Sequence, residues 1–236
     1  MSLGAQIATP DGKRRYVRTL FATIANRYDV MTALLSYGQD RRWKQRLVRL
    51  AAPTPGTVAL DLATGTGDIA FILHDRAIRT IGLDVTAPMI ALARTKRPRS
   101  SAPAFLVGDM MALPFPSATF DVVTTGYGLR NVPDLTTAID EMFRVLRVGG
   151  QALSLDFNRP ANAAVRAVYL LYLASVGGLL GWLLHGDADT YRYIPASIRT
   201  YPGAEAVAEL MKARGFASVR HYRVLGGLLA IHHAWK

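Results

Sequence analysis

The composition of the chain limits the chemistry that it can perform. Its 236 residues are 50% hydrophobic, which is enough for a single domain with one buried core. The absence of cysteine excludes disulfides, thiolate metal sites and cysteine nucleophiles, and it agrees with a cytoplasmic protein. The formal net charge of +11 suggests nucleic acid or an anionic membrane surface as partners, with a solvated basic exterior as the ordinary alternative. Because the basic residues are dispersed and not interleaved with aromatic residues, nucleic acid is not favoured.

The first segment of the chain, residues 1–52, is predicted to consist of helices. Apolar residues recur at helical spacing over 13–51. Pro53 and Pro55-Gly56 then end this pattern before the first predicted strand.

Strands and helices are predicted to alternate in the rest of the chain. The predicted strands comprise residues 57–60, 80–85, 104–108, 120–125, 151–157, 218–224 and 229–235. The predicted helices comprise residues 68–73, 88–96, 135–147 and 204–214, with Thr86 and Asp134 as N-caps and Gly149-Gly150 ending the third. This order predicts an α/β fold with a doubly wound, mostly parallel seven-stranded sheet. The single domain divides into a core over 57–158, an insertion over 161–200 and a C-terminal helix and strands over 203–236.

One apolar segment does not fit the alternation. Residues 167–184 contain no charged side chain, which approaches the length of a minimal transmembrane helix. Gly177-Gly178 and Gly181 interrupt the segment, and a compact α/β domain surrounds it, so a membrane span is not favoured. Three interpretations remain open, namely a buried helical insertion, a lid over a greasy substrate and an element that touches a membrane.

A strand, a glycine turn and a helix follow one another over Val58–Asp68, and the acid Asp84 ends the next predicted strand. Gly65 and Gly67 allow the backbone to turn tightly toward a ligand. This outline is typical of a nucleotide-binding βαβ unit. Because the segment also fits the loose dinucleotide pattern G-x-G-x-x-G/A, the nucleotide has to be chosen on other grounds.

The charges near the glycines favour S-adenosylmethionine (SAM) over NAD. Asp61 and Asp68 are unfavourable next to a pyrophosphate, whereas the sulfonium and ammonium groups of SAM are cationic. Asp84 is placed to accept the two ribose hydroxyls. Asp109 ends the third strand, where it can accept the adenine amine while Met110 offers a backbone N–H; a helix cap is the alternative role of Asp109. Since ligands bind at the carboxyl ends of strands in open α/β sheets, acids that end three successive strands point to one cofactor site.

Several motifs spread over most of the chain carry a family resemblance. They are Y-D-V-M at 28–31, D-L-A-T-G-T-G-D at 61–68, G-L-R-N-V at 128–132, R-V-L-R-V-G-G at 144–150 and D-A-D-T-Y-R-Y at 187–193. With these motifs the chain resembles the UbiE-like ubiquinone/menaquinone biosynthesis C-methyltransferase family, whose members are class I SAM-dependent methyltransferases. The glycine motif is general to methyltransferases, whereas G-L-R-N-V and D-A-D-T-Y-R-Y are narrower and carry the resemblance to this family.

The resemblance implies a Rossmann-like methyltransferase fold, SAM as the cofactor and no metal site. The cofactor-binding residues that it implies are Asp61, Ala63, Gly65, Thr66, Gly67, Asp84, Val85, Asp109, Met110 and Gly126. The chain departs from the family pattern at three positions. Ala63 replaces the first glycine of the general motif, Gly126 stands where serine is common, and Thr32 stands where asparagine is usual.

The resemblance also implies a reaction, the C-methylation of a polyprenylated quinol such as demethylmenaquinol or a ubiquinone precursor. Arg130 is expected to stabilise the phenolate, and Tyr28 and Asn131 to hydrogen-bond or orient the quinol or the cofactor. The residues expected to line a lid over the substrate are Tyr191, Tyr193 and Arg199. The base is not assigned; Asp156, His232 and His233 are weak candidates, and a core role is favoured for the two histidines.

Two other functions remain as alternatives at this point. One is a small-molecule O- or C-methyltransferase of secondary metabolism on the same scaffold, and the other is a non-catalytic module that binds SAM or a dinucleotide. The expected partners are a lipophilic quinol or other aromatic small molecule, with peripheral attachment to a membrane surface and a homodimer as further candidates.

Overall fold

The computed structural model describes residues 3–98, 101–186 and 191–236, which are organised around one sheet. The strands are β1 (Val58–Leu62), β2 (Arg79–Asp84), β3 (Ala104–Val107), β4 (Phe120–Gly126), β5 (Leu146–Phe157), β6 (Ser218–Val224) and β7 (Leu229–Trp235). They are hydrogen-bonded in the order β3-β2-β1-β4-β5-β7-β6, and β7 is antiparallel to both of its neighbours. This order confirms the predicted doubly wound, mostly parallel seven-stranded sheet.

Helices cover both faces of the sheet. They are α1 (Leu3–Gln6), α2 (Pro10–Ile24), α3 (Tyr28–Leu35), α4 (Asp40–Ala51), α5 (Asp68–His74), α6 (Ala87–Thr95), α7 (Leu135–Val145), α8 (Ala163–His185), α9 (Tyr193–Thr200) and α10 (Ala204–Ala213). Leu60 and Leu62 of β1 belong to the core cluster that contains residues of α7 and α10. Ala59, which points to the other face, packs with Leu47 of α4 and Leu73 of α5. The alternation of side chains along a strand therefore gives the domain two cores, one on each face.

The predicted boundary between α7 and β5 is wrong. The helix ends at Val145, and β5 begins at Leu146 rather than at Gln151. Leu146 pairs with Phe120 of β4, and both side chains are fully buried. Leu146 therefore belongs to the sheet and not to the helix. Gly149, predicted to end the helix, lies inside β5 with φ +77° and donates its N–H to the Lys236 carbonyl.

The two predicted N-caps behave differently. The Asp134 carboxylate accepts the N–H of Thr136 at 2.8 Å, which confirms this cap. Thr86 holds the N-cap position of α6, but its side chain makes no capping hydrogen bond. The N–H of Thr86 instead donates to Asp84 Oδ1 at 2.8 Å, so the acid that ends β2 also fixes the turn into α6.

The apolar segment forms the central part of α8, and only one side of that helix is packed. Tyr169 and Leu173 contact Ile198 of α9 within a small core cluster. Leu171 and Trp182 on the other side are 67% and 62% exposed. Among the described residues, α8 is the helix whose length and composition would suit a membrane span, and 22% of its most apolar window is buried. A fully buried insertion is therefore not what the structure contains.

His232 of β7 is a buried core histidine in the neutral form. Its Nε2 lies 2.9 Å from the Ala204 carbonyl and its Nδ1 3.1 Å from Ser154 Oγ. Because a carbonyl can only accept, Nε2 carries the proton and the Ser154 hydroxyl donates to Nδ1. Burial lowers the pKa of His232 to about 4. Among the residues that the structure describes, His232 lines neither of the two cavities at the carboxyl edge of the sheet, which agrees with the core role favoured from the sequence.

We expect His232 to make the fold less stable in acid. A histidine whose pKa is depressed in the folded state stabilises the protein above its unfolded pKa of about 6.5, and this contribution is lost as the pH falls toward about 4. Between about pH 7.5 and pH 4.5, wild type should lose about 2 kcal/mol more unfolding free energy than His232→Gln, which has no titrating ring. Urea unfolding at both pH values measures the difference. Equal pH dependence in the two proteins would contradict the assignment.

Candidate active site

A cavity that is partly open to solvent lies over the carboxyl ends of β1, β2, β3 and β4, with about 750 Å³ of empty space when the open part is included. Its lining includes most of the residues that the sequence assigns to the cofactor, together with two assigned to catalysis: Ala63, Gly65, Asp84, Val85, Asp109, Met110, Gly126, Tyr28 and Asn131. Parallel strands end at the same edge of the sheet, so loops that are distant in the chain meet here.

Three further residues assigned to the cofactor, Asp61, Thr66 and Gly67, support the glycine turn from behind the cavity. The Asp61 oxygens accept the hydroxyls of Thr64 at 2.6 Å and Thr124 at 2.8 Å, and burial raises the pKa of Asp61 to about 7. The Thr66 hydroxyl donates to Asp29 at 2.6 Å. Gly67 has φ +93°, and a Cβ there would lie 2.7 Å from the Phe105 ring, so only glycine fits.

The acid that ends β2 is held facing the cavity. Asp84 Oδ2 accepts the N–H of Gly65 at 2.9 Å, while Oδ1 accepts that of Thr86. Burial raises the pKa of Asp84. Each carboxylate oxygen retains a second lone pair, so the group can still accept hydroxyls of a ligand. The position suits the ribose of a nucleoside.

Asp109, which follows β3, lies close to a residue of helix α2. Its Oδ1 accepts the N–H of Met111 at 2.9 Å, and Arg14 Nε of α2 lies 3.7 Å from Oδ2. The preceding residue, Lys13, donates from Nζ to the carbonyls of Arg130 and Val132 at 3.1 and 2.7 Å. Lys13 and Arg14, which the sequence analysis missed, therefore fasten α2 over this cavity.

Two departures from the family pattern are explained by the residues next to them. Ala63 adopts a left-handed backbone with φ +50°. A Cβ at Gly128 would lie 2.8 Å from the Ala63 methyl, so the glycine at 128 provides the room that alanine needs. A Cβ at Gly126 would lie 2.8 Å from Ile69 Cδ1, so a serine there would require Ile69 to move.

A second cavity, larger and also partly open to solvent, adjoins the first, with about 1260 Å³ of empty space when the open part is included. Its walls are mostly apolar and aromatic and include Leu20, Ile24, Met31, Leu35, Trp43, Phe157, Tyr169, Leu173, Tyr191, Tyr193 and Leu228. Phe21, Tyr28 and Tyr127 line both cavities and form the partition between them. Such a pair of cavities can hold a polar molecule and a lipophilic one side by side.

Arg130 places a buried positive charge in the wall of the second cavity. Its Nε lies 3.1 Å from Asp156 Oδ1, and one terminal nitrogen donates to Ser197 Oγ at 2.5 Å. The guanidinium also lies over the Phe157 ring, 4.9 Å from the centroid. Asp156 accepts the backbone N–H groups of Arg130 and Phe157 as well, and it lines neither cavity. Asp156 is therefore the counter-ion of Arg130 and is poorly placed to act as a base.

The remaining predicted site residues are divided between these cavities and other regions. Asn131 lines the first cavity and donates to the Tyr127 carbonyl at 2.7 Å. Arg199 is exposed and lines neither cavity, whereas Tyr191 and Tyr193 line the second. His233 stacks on Trp235 of the sheet and also lies outside both cavities. Residues 187–190 of the D-A-D-T-Y-R-Y motif lie outside the described residues.

The partition depends on Tyr127, which the sequence analysis did not assign to the site. This residue has φ +61°, and its hydroxyl donates to Asp40 at 2.8 Å. Lys44, one turn further along α4, forms ion pairs with Asp40 and, at 2.8 Å, with Asp68. The two glycines that flank Tyr127, Gly126 and Gly128, mark a turn and are the signal in the sequence that could have pointed to this residue. The buried partner on α4 could not be read from local sequence.

Asp68 is consequently not available to a cationic ligand. Lys44 and Lys96 hold its carboxylate at 2.8 and 3.4 Å, and these contacts lower the pKa of Asp68 although burial opposes them. Neither Asp61 nor Asp68 lines this cavity, and both carboxylates bind groups of the protein itself, so the geometry adds no support to the expectation that they present charge to the cofactor.

Solved structures of class I SAM-dependent methyltransferases share this fold. A SAM-dependent methyltransferase from Thermotoga maritima superposes with TM-score 0.68 at 18% identity, covering 93% of this chain and 99% of that one. Phosphoethanolamine N-methyltransferase 2 from Haemonchus contortus, solved with SAM, gives TM-score 0.61 at 14% identity, covering 83% of this chain and 52% of that one. The chain therefore has the fold of the class I SAM-dependent methyltransferases.

Sequence comparison narrows the class. The chain belongs to the ubiE/COQ5 methyltransferase family, whose model matches residues 9–236. It is similar to a demethylmenaquinone methyltransferase from Thermus thermophilus, with 43% identity over 90% of this chain and 98% of the relative. A ubiquinone/menaquinone biosynthesis C-methyltransferase UbiE from Dinoroseobacter shibae is 37% identical over 99% of this chain and 95% of its own length. The resemblance drawn from the motifs is confirmed.

We expect Lys44→Met to destabilise the protein much more than Lys96→Met. The Lys44 side chain is 6% exposed between two carboxylates, so its removal leaves buried unpaired charge and should cost about 3 kcal/mol. Lys96 contacts Asp29 and Asp68 with 30% exposure, so Lys96→Met should cost less than about 1 kcal/mol. Urea unfolding of both variants at neutral pH measures the two losses. Similar losses would show that the Lys44 cluster does not anchor the glycine turn.

Proposed function

We propose that this protein transfers the methyl group of SAM to a ring carbon of a polyprenylated quinol. The observation that carries the proposal is the pair of adjoining cavities, one at the strand ends with Asp84 and Asp109 in its wall and one large and apolar, separated by Phe21, Tyr28 and Tyr127. The names of the similar proteins state demethylmenaquinone or ubiquinone/menaquinone biosynthesis as the role of those proteins. A naphthoquinol or benzoquinol with an isoprenoid tail suits the second cavity.

The first cavity fits SAM by the chemistry of its donors and acceptors. Asp84 would accept the ribose hydroxyls, Asp109 would accept the adenine amine, and the backbone N–H of Met110 would meet the adenine ring. Asp61, Thr66 and Gly67 would act by holding the turn in place. Bound SAM supplies the electrophilic methyl group.

Arg130 would prepare the acceptor for attack by carbon. A guanidinium beside a quinol oxygen lowers the pKa of that hydroxyl and stabilises the phenolate, which makes the adjacent ring carbon nucleophilic. Asp156 and Ser197 fix the orientation of the guanidinium. Burial raises the pKa of Tyr28 to about 12, so its phenol stays neutral and serves as a hydrogen-bonding part of the partition. The apolar walls exclude water, which keeps the charge at Arg130 effective.

We further propose that the rim of the acceptor cavity rests on a membrane surface. Tyr37 and Leu225 line this cavity and are 75% and 56% exposed, and Tyr37 hydrogen-bonds Tyr172 of α8 at 2.8 Å. The exposed apolar side of α8, with Leu171 and Leu179, continues from this rim. A polyprenyl tail lies in the bilayer, and a protein of net charge +11 is attracted to anionic lipid.

We expect methyl transfer from labelled SAM to reduced demethylmenaquinol, with much lower rates on simple phenols that lack an isoprenoid tail. Product NMR should place the methyl group on a ring carbon. Methylation of oxygen, or a preference for simple phenols, would contradict the proposal and favour a small-molecule methyltransferase.

The conservative variant Arg130→Lys is the matched test of the acceptor site. Its turnover should fall about 100-fold because a single ammonium cannot keep the contacts with Asp156 and Ser197 and also reach the quinol oxygen, while SAM affinity should stay within about twofold. Arg147→Lys, at the exposed Asp121 ion pair, is the control and should behave as wild type.

We expect wild type to pellet with phosphatidylglycerol-containing vesicles at low salt, and the double variant L171E/L179E to bind about tenfold more weakly or worse. Val148→Glu is the control, since Val148 is 91% exposed at the start of β5, away from the carboxyl edge of the sheet. Failure of wild type to pellet, or equal binding by all three proteins, would contradict the membrane proposal. A dimer in solution that L171E/L179E converts to monomer would assign the surface to self-association instead.

A further inference from the structure

Tyr193 stands out in the acceptor cavity because its hydroxyl has no partner. The side chain lines this cavity and is 1% exposed, and no described atom forms a hydrogen bond with its hydroxyl oxygen. The neighbouring phenols are satisfied: Tyr169 donates to the Leu228 carbonyl at 3.2 Å, and Tyr172 donates to Tyr37 at 2.8 Å. A buried hydroxyl without a partner is unfavourable unless something else supplies the hydrogen bond.

The position of Tyr193 relates it directly to Arg130. Tyr193 is the first residue of α9, and Ser197 lies four residues later on the same side of that helix. Ser197 Oγ accepts a hydrogen bond from Arg130 at 2.5 Å. Tyr193 and Arg130 both line the acceptor cavity, and the Arg130 charge is close enough to the Tyr193 phenol to oppose the rise in its pKa.

The Tyr193 phenol is fixed and neutral. Its ring packs against Tyr16 of the N-terminal helix with centroids 5.4 Å apart, which limits its rotation. Burial raises the pKa of Tyr193 above its ordinary value, so the hydroxyl keeps its proton and can both donate and accept. Arg130, in contrast, can only donate and carries a positive charge.

We propose that the Tyr193 hydroxyl binds the second ring oxygen of the acceptor and makes the site specific for substrates that carry two ring oxygens. This inference rests on the proposed function, in which Arg130 meets the first oxygen, the one beside the methylated carbon. The first oxygen has to become a phenolate, which suits a cation. The second stays a neutral hydroxyl, which suits a neutral phenol that donates and accepts. An acceptor that lacks this oxygen leaves Tyr193 unpaired and is rejected for that reason.

The test compares two proteins on two acceptors, as in a double-mutant cycle. Tyr193→Phe removes one hydroxyl from the protein, and the second acceptor lacks one hydroxyl of the first. The two acceptors are a short-chain prenylated naphthalene-1,4-diol and the matching naphthol that keeps only the hydroxyl beside the methylated carbon. Wild type should prefer the diol about 30-fold in kcat/KM, mainly through KM. Tyr193→Phe should lose about 30-fold on the diol and then treat the two acceptors alike within about threefold.

Tyr201→Phe is the matched control. Tyr201 is also a buried phenol whose hydroxyl has no hydrogen-bond partner among the described residues, and it lines neither cavity. Tyr201→Phe should therefore keep the preference of wild type for the diol. SAM affinity, measured by calorimetry, should be unchanged in both variants.

Each outcome decides between the two proposals. A Tyr193→Phe protein that keeps the wild-type preference, or that loses activity equally on both acceptors, overturns the role of Tyr193 while the proposed function stands. Wild type that does not discriminate between the acceptors also overturns it, even when Tyr193→Phe fails to fold. Wild type that methylates neither acceptor, yet binds SAM, overturns the proposed function and this inference together.

Discussion

The buried ammonium of Lys44 is the interaction on which the site depends most. It lies between Asp40 of α4 and Asp68 at the start of α5, and so ties the N-terminal helices to the glycine turn. Burial alone would lower the pKa of Lys44, but the two carboxylates reverse this and hold the charge on the side chain. Because Asp40 also accepts the Tyr127 hydroxyl, the same cluster positions the partition between the two cavities. One buried cation thus orders the floor of the cofactor cavity and the wall toward the acceptor.

Two residues of the cofactor cavity adopt backbone conformations that are rare for residues with a side chain. Ala63 and Tyr127 both have positive φ, and both line the cofactor cavity. Such conformations cost free energy and persist where the surroundings enforce them. Here Gly128 makes room for the Ala63 methyl, and Asp40 holds the phenol of Tyr127. The departure at Ala63 from the usual glycine is therefore balanced by its neighbour, and the turn keeps its shape.

The two cavities differ in their lining because they are built from different parts of the fold. The cofactor cavity is built at the strand ends, where backbone groups and Asp84 converge. The acceptor cavity is built by helices added to the sheet, which contribute aromatic side chains such as Tyr191 and Tyr193. Helices α2 and α3 border both cavities through Phe21 and Tyr28, so the added layer brings the two reactants next to each other.

The sequence by itself determined that the sheet is doubly wound and mostly parallel, and it placed acidic residues at the ends of the strands. Strand periodicity and glycine turns are local, and parallel strands necessarily end at one edge, so Asp84 and Asp109 could be assigned to one cavity from chain order alone. The negative charges of Asp61 and Asp68 could be read from the sequence, but their partners Thr124 and Lys44 could not. For that reason both carboxylates were expected to face the ligand.

Only the tertiary structure decided which groups face a ligand and which face the protein. Asp68 meets Lys44, 24 residues away in the chain, and Arg130 meets Asp156, 26 residues away. Leu146 joins the sheet because Phe120 lies opposite it, and α8 exposes its apolar side because α9 covers just one face. These pairings are set by packing between distant segments, and local periodicity contains no information about them.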